Sequence, residues 1–437
     1  MKHHQLRNIL IGILLVSVSF AGGIWIAPHF GQSTKTTEKA QNLHVAFLQE
    51  VRTVIQENYW NNLSETDFVT LHVRAIEKLT AQPLGDRIAT FEDLDQELIK
   101  LIDQYQDDQT KNEFVTQLAD LVLANLEPFG RSRLYSRQLE QQLVEQVSNI
   151  DPTVDHYQVL EIDSSASAEV LEEAYQTKKE ILSQSNSEES QQQLAQVESA
   201  YRTLADAQNR ARYDEAGINP TMEWRVINDK IFYLKLKQFS PTTVQEIVEV
   251  TQKVDHYDEQ LATLILDIRG NIGGALDGLP YFLGPFIGNN QQAYQMIQQG
   301  KTSDFKTRTG WLPSLVRYKK MILLIDQEVQ SSAEVFADVI QRYNVGVLVG
   351  TPTKGWGTVE RVFPLKKQLD NNEEYSIFLV HHLTLRSDGQ PIEGQGIVPD
   401  VDSTQPNWQS QLFQYFSDQK LVDTVADLIK DSQSVQN

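Results

Sequence analysis

The chain of 437 residues contains no cysteine, so disulfides and thiolate metal sites are excluded. Cations are also scarce. Thirty-eight Lys and Arg stand against 59 Asp and Glu, a net charge of −21. The basic residues are spread along the chain. Phosphate binding wants them concentrated, so no nucleic-acid partner is expected. The nine histidines are scattered, and no cluster has metal-ligand spacing. Gly270 to Gly274 lacks the Gly-Lys-Ser/Thr ending that would hold phosphates. Neither a metal nor a cofactor is expected.

Long apolar runs are rare, with one exception. Ile9 to Ala27 is nineteen residues without a charge, preceded by Lys2 and Arg7. That length can span a bilayer, and the basic flank would stay in the cytoplasm. The sequence therefore predicts a membrane anchor through residues 9–27. The bulk of the chain would then lie outside the cytoplasm, in a periplasm or at the cell surface. Ser19-Phe20-Ala21 offers a cleavage site, and cleavage there would give a secreted protein.

The remainder divides by pattern. Residues 1–30 hold the anchor or signal, and a polar tether follows. Residues 41–150 carry helical stripes, such as Leu43, Phe47, Leu48, Val51 and Val54. They predict a helical N-terminal domain that packs on the rest or pairs with a second copy as a homodimer. Residues 155–217 read as a compact helical unit. From residue 222 the period changes. Ile231 to Leu236, Leu261 to Ile268, Met321 to Ile325 and Val345 to Val349 read as buried strands with helices between them. Residues 222–405 thus form a layered α/β core, and 406–437 close the chain with helices. The fold class expected is multidomain α+β.

Several motifs agree in order and spacing within the core. Leu266-Asp267-Ile268-Arg269-Gly270-Asn271 runs into Gly273-Gly274. Ser331-Ser332-Ala333-Glu334 follows, then Thr353-Lys354-Gly355-Trp356-Gly357, and finally Gln390 to Val401. This set resembles the C-terminal processing, or tail-specific, peptidases of family S41. The resemblance implies a polypeptide substrate or ligand, a nucleophile at Ser331, and a lysine base 25 residues later. That position holds Trp356, whose indole cannot accept a proton. Four residues on, where the family places an orienting glutamine, stands Glu360.

Physical reading of the residues runs alongside. Paired glycines after a buried strand can expose N–H groups, so Gly273 and Gly274 are candidate oxyanion donors. Ser331 sits where a helix begins, and a serine there can simply cap it. Three outcomes stay open. The groove binds chains without cutting. Alternatively Lys354, two residues early in an extended segment and so displaced by roughly 6–7 Å, supplies the base. Or His381 or His382 does so, oriented by Glu334 or Glu360.

The unit at 155–217 resembles the J-domain of Hsp40 co-chaperones through Tyr157-Gln158-Val159-Leu160, Ala200-Tyr201-Arg202-Thr203-Leu204 and Arg210-Ala211-Arg212-Tyr213-Asp214. Ser183-Gln184-Ser185 stands where that family carries His-Pro-Asp. The unit takes the place usually held by a PDZ module. It implies a protein partner rather than ATPase stimulation.

Overall fold

Polar residues set the first helices. Ser64, Thr90 and Asp107 each accept an N–H from the first turn that follows, and Asp93 returns a bond to Thr90. Each such cap contributes about 1 kcal/mol. A computed structural model describes residues 42–185, 187–255 and 261–434. Its strands are β1 (Arg133–Ser136), β2 (Met222–Ile227), β3 (Ile231–Leu236), β4 (Thr263–Asp267), β5 (Gln292–Gln298), β6 (Lys301–Lys306), β7 (Lys320–Ile325), β8 (Val347–Gly350), β9 (Thr358–Pro364), β10 (Tyr375–Leu385) and β11 (Val401–Asp402).

The helices Leu43–Asn58, Glu65–Thr80, Phe91–Ile102 and Asp108–Ala124 bury Phe47, Ile55, Phe68, Ile76, Leu94, Leu98 and Leu118. They do not form a core alone. Ile377, Leu379 and Val380 of β10, with Leu365 and Leu369, complete it. β1 interrupts the expected helical run and pairs antiparallel with β10. The N-terminal helices are thereby tied to a strand near the end of the chain.

His72 lies in this core, 2% exposed, bonded through Nδ1 to the Phe68 carbonyl and stacked on the Phe68 ring. Burial pushes its pKa down to about 4, from an ordinary 6.5. The imidazole is therefore neutral when folded. Between pH 6.5 and about 4 the unfolded chain takes up a proton that the folded chain refuses. Stability should fall by up to about 3 kcal/mol as pH drops through that window. Above it the penalty is absent. Urea midpoints across the window should flatten in His72→Leu relative to the parent.

One sheet runs β1-β10-β5-β6, with β9 also on β10; the second runs β11-β8-β7-β4-β3-β2 and is parallel except for β2 with β3. Asn228 and Asp229 make that one hairpin, with φ of 51° and 55° as a type I′ turn requires. Alternation along the strands fills both faces. Leu264, Leu266, Leu323 and Ile325 meet the helices Thr243–Asp255, Leu279–Ile287 and Ser332–Arg342. Ile265, Ile322 and Leu324 meet Leu412, Leu421, Val422 and Val425 of the closing helices. The result is a multidomain α+β protein with N-terminal helices and a mixed α/β core.

Residues 156–216 form four helices around Leu160, Leu171, Val197, Ala200 and Leu204. The chain enters and leaves this unit at one place, where Asn219 N–H donates to Asn149 O at 2.9 Å and Ile150 bridges Ile218. Arg212–Glu249, Arg202–Glu223 and Lys253–Asp206 ion pairs hold it against β2 and the helix Thr243–Asp255.

The membrane expectation is corrected. Among the described residues no helix is long and apolar enough to cross a membrane. The run at 9–27 lies outside the described residues, so neither membrane anchoring nor a location deduced from it is retained.

Candidate functional site

Two turns meet at the end of β4. Asn271 is fully buried. Its Nδ2 donates to Leu236 O at 3.0 Å, and its Oδ1 accepts the Gly273 N–H at 2.8 Å. Its carbonyl accepts from Gln330 at 3.1 Å, which fastens this turn to the one carrying Ser331. Gly273 has a φ of +89°, and a Cβ there would stand 2.7 Å from Ser331 Cβ. A Cβ on Gly274 would stand 1.9 Å from Phe239 O. Both positions demand glycine for close approach as well as for φ. Of the two expected oxyanion donors, the Gly273 N–H is already engaged by Asn271.

Ser331 precedes the helix Ser332–Arg342 with a φ of 58° and ψ of −129°. A non-glycine residue in that region costs about 1–3 kcal/mol and needs its surroundings to hold it. Glu334 does so. This fully buried carboxylate accepts the N–H of Ser331 at 3.0 Å, Gly355 at 2.7 Å and Trp356 at 2.8 Å, and the Thr353 hydroxyl at 2.5 Å. Burial pushes its pKa up, against the pull of these four donors. Ser331 N–H also donates to Trp356 O at 3.0 Å. The serine turn and the 353–356 segment are thus one hydrogen-bonded body.

Trp356 is half-buried. The Arg131 guanidinium lies 3.7 Å from its ring centroid, and Lys354 Nζ lies 5.2 Å from it. Arg131 is itself fixed by Glu393 at 2.9 Å and by the Thr358 hydroxyl at 2.9 Å. Glu393 also accepts the Gly357 N–H at 2.9 Å. Glu360 accepts a bond from the Thr358 hydroxyl at 2.5 Å. Burial raises the Glu360 pKa, and its hydrogen bonds and Arg131 oppose the rise.

Of the remaining candidates Lys354 stays beside the Trp356 ring, and the histidines lie elsewhere. The Lys354 side chain is 39% exposed, and its ammonium stands 4.0 Å from Glu328. His381 and His382 belong to β10. His381 Nδ1 bonds Asn58 O at 2.8 Å, and its ring lies 4.3 Å from that of His382. Burial holds both imidazoles below their ordinary range, His382 at about 4. The structure brings Ser331, Gly273, Gly274, Glu334, Trp356 and Glu360 together. Lys354 has the Trp356 ring and Glu328 as partners, and His381 has Gln298 of β5 and Asn58 of the first helix. Sequence reading missed Arg131. It is far from Trp356 in sequence, and no local pattern marks it.

Residues 230–403 match the model of Peptidase family S41. The carboxy-terminal-processing protease of Bartonella bacilliformis is 29% identical over 189 residues, which cover 42% of this chain and 41% of that protein. A probable CtpA-like serine protease of Staphylococcus epidermidis is 26% identical over 177 residues, 40% of this chain and 34% of that protein. The matched segment spans less than half the length of these relatives. Among solved structures, a lipoprotein from Streptococcus agalactiae aligns over 81% of this chain and 97% of its own, at 15% identity and a TM-score of 0.39.

Proposed function

We propose that this chain, whose residues 230–403 match peptidase family S41, holds polypeptide at the Ser331 turn without cutting it. One observation carries the reading. The segment bonded to Ser331 presents an indole, and that indole is stacked with the Arg131 guanidinium at 3.7 Å. A serine hydroxyl needs a proton acceptor to attack an amide. Nothing in this assembly supplies a neutral amine.

The cutting alternatives have weaker support. Lys354 is exposed beside a carboxylate, whereas a lysine base must shed its proton through burial. His381 is bonded to Asn58 on the first helix. Exposed Ile272, beside Gly273, offers apolar surface for a bound chain. The working division is 41–150, 155–217, 222–405 and 406–437. The unit at 155–217, J-like by its motifs but with Ser183-Gln184-Ser185 in the loop, is assigned protein contact in the same proposal.

Purified protein should bind an unfolded, fluorescein-labelled casein in an anisotropy titration. It should release no more fragments than Ser331→Ala does. Cleavage by the parent that vanishes in Ser331→Ala overturns the proposal.

A further inference from the structure

β9 begins directly after Gly357 and pairs with a strand on one side only, β10. Two other sheet edges, β6 and β2, are blunted or covered. β6 carries exposed Lys301, Asp304 and Lys306. β2 is met by the helical unit through Arg202 and Glu223. Such devices are how natural edges avoid pairing. β9 carries one exposed charge, Arg361, at its centre. Only Pro364, its last residue, lacks a donor. Among the described residues no backbone hydrogen bond outside the β10 ladder reaches Val359 to Pro364.

The far end of β9 opens into a groove of about 480 Å³. Val54, Phe363 and Pro364 give it apolar lining, and the first helix forms one wall. Glu50 there is committed, its two carboxylate oxygens accepting the N–H groups of Lys366 at 2.8 Å and Lys367 at 2.7 Å. The Lys366 and Lys367 side chains are exposed, and among the described residues neither ammonium is in an ion pair. Glu57 lines the same groove, four and three residues beyond Thr53 and Val54 on the helix and two turns from Glu50.

We infer that the free edge of β9 and this groove bind an extended polypeptide by strand addition, with acidic side chains set against Lys366 and Lys367. Main-chain pairing would supply affinity, and the lysines would set direction and preference. The seven residues of β9 span roughly 23 Å, enough to run from the Ser331–Trp356 body to the lysines. The inference rests on the polypeptide-binding reading above and names where the bound chain runs.

The probe is an amidated peptide alternating valine with glutamate, followed by anisotropy beside the unfolded casein. Two control peptides carry lysine for glutamate, or methyl groups on alternate backbone nitrogens. Binding of the glutamate peptide should weaken at least about tenfold in Lys366→Glu/Lys367→Glu, and about as much on backbone methylation. Casein binding that persists while the glutamate peptide fails to bind, or binds the charge-reversed protein equally, overturns this inference and leaves the proposed function standing. Binding that depends on the lysines but ignores backbone methylation also overturns it, since charge attraction alone would then suffice. Loss of both ligands from the folded parent overturns both readings.

Discussion

Trp356→Lys combined with Glu360→Gln should raise hydrolysis of an unfolded polypeptide at least about 100-fold over the parent. General-base assistance is worth about 10²–10⁴-fold, and on the proposed reading a base is what the Ser331 turn lacks. The second change matters as much as the first. A lysine placed at 356 would stand close enough to Glu360 to feel its charge, and a carboxylate there would hold the ammonium charged. Glutamine removes that charge. Arg131, 3.7 Å from the present ring, works in the favourable direction, because a neighbouring cation drives a lysine toward its neutral form. Trp356→Lys alone should therefore gain far less than the pair. Initial rates with a quenched fluorescent casein measure all three proteins. Adding Ser331→Ala to the double variant should erase the gain. Equal rates with and without Ser331 would mean that some part other than the base is also missing.

Glu334→Ala should lower the stability of the chain by at least about 3 kcal/mol. Three N–H groups and one hydroxyl converge on this buried carboxylate. Removing it strands three of the four donors, since the Ser331 N–H keeps Trp356 O, at about 1–3 kcal/mol for each that finds no new partner. Whole domains are stable by only about 5–15 kcal/mol, so the urea midpoint should move far. Glu334→Gln keeps one acceptor and adds a donor where none is wanted, and should lie between. An unchanged midpoint in Glu334→Ala would show that solvent reaches these groups and that the clamp is not structural.

The fold was legible where its cause was local. Buried strands such as Leu261 to Ile268 and Met321 to Ile325 read as apolar runs because both faces are covered. Thr90 and Asp93 marked a helix start through a reciprocal cap that needs only four consecutive residues. β1 was not legible. Arg133 to Ser136 has no alternation of its own, and it is a strand because β10 lies beside it. The site divides in the same way. Ser331, Gly273, Gly274, Trp356 and Glu360 announced themselves by order and spacing. Lys354 and the histidines were reasonable chemistry on the same evidence. Their partners, Glu328 for one and Asn58 for the other, come from tertiary packing. Arg131 and the four-donor role of Glu334 could not be read for that reason. The membrane segment rested on an apolar run at 9–27, and no described helix supports a crossing.

The central claim is that the Ser331 hydroxyl has no base and is chemically quiet. Its most direct measurement is the intact mass of the folded protein after incubation with a fluorophosphonate near neutral pH, a reagent that phosphonylates activated serines. The account predicts an unmodified parent, and an adduct mapped to Ser331 in Trp356→Lys/Glu360→Gln. A stoichiometric adduct on Ser331 of the parent would contradict it.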